Sequence, residues 1–118
     1  MDEGLINQVY QAEKEYIALK NQYEMYATSE LQAVQQQKVY EYTLESLKAI
    51  DNEKVYQPMG KAFIIRDKKD IVDDFEYLHA KTGEDLAKAR NYKEVFGGKK
   101  SELEKQLVEM TKNLNLAK

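Results

Sequence analysis

Apolar residues recur three and four positions apart along most of this chain. From about Leu5 to Ile50, one seven-residue series reads Val9, Tyr16, Tyr23, Glu30, Gln37, Leu44. The interleaved series reads Leu5, Ala12, Leu19, Tyr26, Ala33, Tyr40, Leu47, so eleven of the thirteen positions are apolar or aromatic. This stretch holds neither Pro nor Gly. A sustained heptad repeat of that kind predicts a long helix with one coiled-coil seam. From about Asp67 to Ala117 the pattern returns, less regularly. The series Ile71, Leu78, Asp85, Tyr92, Lys99, Gln106 interleaves with Phe75, Thr82, Ala89, Phe96, Leu103, Met110. Leu86, Leu107 and Leu114 fall just beside its polar positions and widen the stripe.

Between the two repeats lies a segment of different character, Val55-Tyr56-Gln57-Pro58-Met59-Gly60-Lys61-Ala62-Phe63-Ile64-Ile65-Arg66. Its β-branched and aromatic residues favour strands. Gln57-Pro58-Met59-Gly60 suits a type I turn, with Pro second and Gly fourth. The expectation is strand, turn, strand, with Asp51-Asn52 ending the first helix and Asp67 capping the second. Folding the chain back there pairs positions whose numbers add to 118 or 119. Apolar layers then meet apolar layers: Val9 with Met110, Tyr16 with Leu103, Tyr23 with Phe96, Tyr26 with Tyr92, Tyr40 with Leu78, Leu44 with Phe75 and Leu47 with Ile71. The fold class expected is mainly α, two long antiparallel coiled-coil helices joined by a short β-hairpin. Its elements in a single domain, 1–118, are a helix over 4–51, a hairpin over 54–66 and a helix over 67–116. Gly97-Gly98 is the local conflict, since two mid-helix glycines cost roughly 2 kcal/mol relative to Ala. A continuous helix that bends there is expected, against a break and restart at Ser101.

Composition narrows the function. The chain has 118 residues, no Cys, no Trp and a net charge of −3. That excludes a disulfide scaffold and a thiolate metal site, and it gives no basic footprint for nucleic acid. No apolar run is long enough to cross a membrane. Without Cys or an N-terminal targeting pattern, a cytosolic or nuclear address is the default, and a cytoplasmic one is expected. Ala, Glu, Lys, Leu and Arg together make 53 of the 118 residues, near the share typical of long helices. His79 is the lone histidine, and Asp70, Asp73 and Asp74 have no converging ligands. A charged, solvated face explains them better than a metal site. Gln35-Gln36-Gln37 is ordinary helix composition, and Lys99-Lys100 is too short a basic run to signal nucleic acid. No nucleophile–base pair or phosphate loop appears, so no enzyme and no cofactor are expected.

A two-stranded hairpin alone is marginal in water. Phe63, Ile64 and Ile65 are consecutive, so apolar groups point to both of its faces. Two helices cannot cover both, and the hairpin therefore reads as an assembly element. Its spacing of Tyr56, Gly60, Lys61, Phe63, Ile64 and Ile65, followed by Arg66-Asp67-Lys68 and set between two long helices, resembles the prefoldin β-type subunits, closest to the eukaryotic subunit 1 branch. The specific part of the resemblance covers about fourteen residues.

The resemblance implies one subunit of a heterohexameric, ATP-independent chaperone without nucleotide or metal. Its partners would be α-type and β-type prefoldin subunits, unfolded clients of the actin and tubulin type, and the cytosolic chaperonin. Carried over, Val55, Tyr56, Met59, Gly60, Phe63, Ile64 and Ile65 would be assembly residues. Leu5, Ile6, Val9, Met110, Leu114 and Leu116 would form the client-binding tips. Pro58 departs from the pattern and is expected to shorten the first strand. The alternative reading is a coiled-coil adaptor that dimerises through its helices.

Overall fold

The computed structural model describes residues 3–116. Its elements are α1 (Glu3–Ala49), β1 (Lys54–Met59), β2 (Ala62–Asp67) and α2 (Lys68–Leu116). Two long helices joined by an antiparallel two-stranded hairpin are the fold class that the heptads and the middle segment require. The chain divides into two compact units, one of 1–30 with 88–118 and one of 31–87. No described helix is long and apolar enough to cross a membrane.

All thirteen seam positions of α1 are buried or half-buried, with Ala12 and Leu47 the deepest. On α2 the series Phe75, Thr82, Ala89, Phe96, Leu103, Met110 also turns inward. The other series begins as expected with Ile71, which is buried, and beyond it is displaced by one residue. Leu78, Asp85, Tyr92, Lys99 and Gln106 are exposed, and the inward positions are Val72, His79, Leu86, Lys93, Lys100, Leu107 and Leu114. The reason is chemical. Lys93 and Lys100 lay their aliphatic stems in the seam and carry their ammonium groups out to carboxylates. Lys93 reaches Glu30 at 3.3 Å and Lys100 reaches Glu104 at 3.4 Å. His79 similarly reaches Glu41 at 3.0 Å. Tyr92 still touches the seam from its flank, stacked on Tyr26 with ring centroids 5.0 Å apart.

In the unit of 1–30 and 88–118, Tyr16 meets Glu104, and a Cβ on Gly97 would lie 3.1 Å from the Tyr23 ring. In the unit of 31–87, Glu41 meets His79 and Gln37 faces Gly83. These pairs all add to 120, one or two more than expected. The hairpin explains the offset. Its turn is Gly60-Lys61, two residues beyond the expected centre, with Met59 opposite Ala62. Gly60 has φ +63°, and no other described residue has positive φ. That combination is a type II′ turn, whose twist suits a hairpin and whose first central position calls for Gly. Pro58 therefore does not shorten β1 but lies within it, opposite Phe63. In a two-residue hairpin this pair is a non-hydrogen-bonded one. The missing N–H of Pro58 points away from β2 and removes no bond from the ladder.

The junction uses one residue twice. The Lys68 amide donates to the Glu53 carbonyl at 2.7 Å, and its ammonium donates to the Ile50 carbonyl at the end of α1. One orphan donor of α2 and one orphan acceptor of α1 are thereby satisfied. Arg66 ties β2 to α2 through Asp74 at 2.8 Å and to β1 through Gln57 at 3.1 Å.

α2 runs unbroken through Gly97-Gly98. A Cβ on Gly98 would meet nothing within 4 Å. Gly98→Ala is expected to raise stability by about 1 kcal/mol through helix propensity alone. Gly97→Ala should gain less, because the Tyr23 ring must give way. Urea denaturation followed by circular dichroism reads both, and equal gains would contradict the Tyr23 contact.

Candidate functional site: an exposed apolar hairpin

Alternation along the strands sets two faces. One carries Tyr56 opposite Ile65 and Pro58 opposite Phe63; the other carries Val55 opposite Arg66, Gln57 opposite Ile64 and Met59 opposite Ala62. On the first face Tyr56 is 69%, Phe63 68% and Ile65 57% exposed. On the second, Met59 and Ile64 are exposed, while Val55 is half-buried. Gly60 sits at the turn, where it shapes the hairpin. Five large apolar side chains thus leave on the order of 600 Å² of surface in water, which is large for fourteen residues of a monomer. Both outer edges of the sheet are also unpaired. Tyr56 and Lys54 offer outward amides on β1, and Phe63 and Ile65 offer them on β2. Apolar faces and open edges together are suited to packing against and pairing with other chains.

The tip residues divide. Leu5, Val9, Met110 and Leu114 are half-buried and belong to the seam, whereas Ile6 and Leu116 are exposed. Val108, two residues before Met110, is 68% exposed and was not picked out by the heptad reading. Its position outside the seam was the available signal. All of these lie in the unit of 1–30 with 88–118.

That unit also contains the most perturbed titrating groups. The Tyr16 hydroxyl donates to Glu104 Oε1 at 2.8 Å, and Lys100 approaches the same carboxylate and the face of the Tyr23 ring. The Tyr16 bond, then that of Lys100, holds the Glu104 carboxyl below its ordinary value of 4.5. The same contacts raise Tyr16 above 10.0 and Lys100 above 10.5. Stability from the lowered Glu104 is present above pH 4.5 and is lost as pH falls through its folded value. Stability from the raised Tyr16 and Lys100 is present below pH 10 and is lost as pH rises through their folded values. Tyr16→Phe is expected to lower the melting temperature at neutral pH and to flatten its decline on acidification. An unchanged acid limb in thermal melts would show that the bond contributes nothing.

Among the described residues no three His, Asp or Glu side chains converge as a cation site. The space bounded by Asp51, Asn52, Glu53, Asp67, Lys68 and Lys69 is an open hollow at the junction of helices and hairpin. No family model matches the chain, and no curated protein matches it by sequence.

Proposed function

We propose that the chain is one subunit of a heterohexameric, ATP-independent chaperone of the prefoldin type. It joins α-type and other β-type subunits through its hairpin and captures unfolded proteins, of the actin and tubulin type, for the cytosolic chaperonin. The observation that carries this reading is the hairpin itself. It places Tyr56, Phe63 and Ile65 in water on one face, Met59 and Ile64 on the other, and has two unpaired edges. The helix pair needs no such surface for its own stability. The cytoplasmic placement belongs to the same proposal.

The adaptor alternative needs Tyr16 and Tyr23 for a seam between chains. Here both are engaged within one chain, by Glu104 and by Gly97. The test is native mass spectrometry of the chain alone and mixed with α-type prefoldin subunits. A defined six-chain species is expected from the mixture. A chain that remains alone in the presence of those subunits would sink the proposal.

A further inference from the structure

The outer edge of β2 calls for one kind of partner. Phe63 and Ile65 turn both N–H and C=O away from β1, at the spacing of an extended strand. A further strand in the same sheet is what satisfies such a row. The edge of β1 is poorer, because Pro58 turns outward there with a carbonyl and no amide. Beside the β2 edge both faces are apolar. Phe63 and Ile65 stand exposed on one, and Ile64 is 41% exposed on the other. The strand that fits is therefore short and apolar at consecutive positions, as β2 itself is.

Charge and size select one arrangement of β2 against itself. Set antiparallel with Ile64 across from Ile64 of a second copy, β2 places Phe63 across from Ile65 and Ile65 across from Phe63. Each of these pairs exchanges two hydrogen bonds, since all four residues present their outward groups. Lys61 then stands level with Asp67 of the second copy, at both ends of the pair. Ala62 faces Arg66, and its small side chain leaves the Arg66 guanidinium on Asp74 and Gln57. A slip of two residues one way sets Phe63 across from Asp67, and a slip the other way sets Lys61 across from Ile65. We propose that β2 pairs antiparallel with β2 of a second copy of this chain, about a two-fold axis at Ile64. The four-stranded sheet then shows β1, with Pro58, at both edges. The contact is small, so the pair is a weak one, with a dissociation constant on the order of 100 µM. It is what the chain forms by itself. It does not rest on the assembly proposed above, whose other subunits would compete for the same edge.

The chain has no Cys, so single cysteines in the full chain report cleanly. Ile64 and its counterpart form a non-hydrogen-bonded pair, whose close Cβ atoms suit a disulfide. Mild oxidation at about 100 µM is the condition to use. Ile64→Cys is expected to link into dimers about tenfold faster than Tyr77→Cys, which is more exposed but lies on α2. In the Ile64→Cys background, Ile65→Pro removes one outward amide from each copy and leaves the ladder with β1 whole. It should slow linking about tenfold, where Ile65→Val changes it little. Lys61→Glu sets like charges level at both ends and should slow linking about fivefold at low salt. Linking of Ile64→Cys no faster than that of Tyr77→Cys would overturn the pairing. Equal rates for Ile65→Pro and Ile65→Val would overturn strand addition as its basis. In a mixture of Ile64→Cys and Ala62→Cys chains, a preference for the mixed dimer would overturn the register. These readouts involve no other subunit, so failure of the six-chain assembly would leave them standing.

Discussion

Leu86→Ala is expected to cost about 3 kcal/mol of stability, while Leu78→Ala costs less than about 1 kcal/mol. The two leucines are eight residues apart on α2 and chemically identical, and their settings differ. Leu86 is 7% exposed, within the series of Val72, Lys93 and Leu107. Leu78 is 36% exposed at the flank. Truncating Leu86 removes most of a buried side chain and leaves a gap in a thin seam, where few neighbours can collapse into the space. Truncating Leu78 removes methyl groups that already face water on one side. Urea unfolding of the two variants measures the difference directly. Equal losses would place both leucines in the seam and would contradict the displaced series.

The larger functional effect is expected from Phe63→Asp. In the proposed assembly the Phe63 ring leaves water, and a carboxylate there would be buried without a partner. Such a charge costs roughly 3 kcal/mol or more, over a hundredfold in affinity. The six-chain species in native mass spectra should therefore vanish at concentrations where the unaltered chain assembles. The helices should be untouched, because Phe63 makes no seam contact. Tyr77→Asp is the matched control. Tyr77 is as exposed as Phe63 but lies on α2, outside the hairpin, and its replacement should leave assembly intact. If both substitutions abolish the complex, general surface hydrophobicity is at work and not the hairpin.

How far the fold was legible depended on how purely each seam is written. On α1 the inward positions are Tyr, Leu, Ala and Val with two polar interruptions, and residue type alone identifies them. On α2 the inward series includes His79, Lys93 and Lys100, whose role depends on Glu41 and Glu30 of the other helix and on Glu104 of α2 itself. Residue types cannot show that Lys93 or His79 is half-buried, because the carboxylate that each one meets lies on α1, far away in sequence. Leu78 and Tyr92 were apolar decoys one position off. The turn was misread for a related reason. Pro58 suits a turn, and it equally suits a strand position whose amide faces outward, and only the pairing register separates the two. The exposure of Phe63, Ile64 and Ile65 was legible because three consecutive large apolar residues in a strand cannot all be covered by one face.

The same hairpin carries a hazard that its flanks restrain. Ala62 to Ile65 is a short, uncharged, strand-forming run, the kind of segment that stacks into cross-β fibrils when left in water. Lys61 stands immediately before it and Arg66-Asp67 immediately after, so stacked copies in register would align like charges. On the opposite edge, a strand added along β1 meets Pro58 and finds a carbonyl without its amide. Growth by repeated strand addition is interrupted there at every layer, which favours an assembly that ends over a fibre that does not.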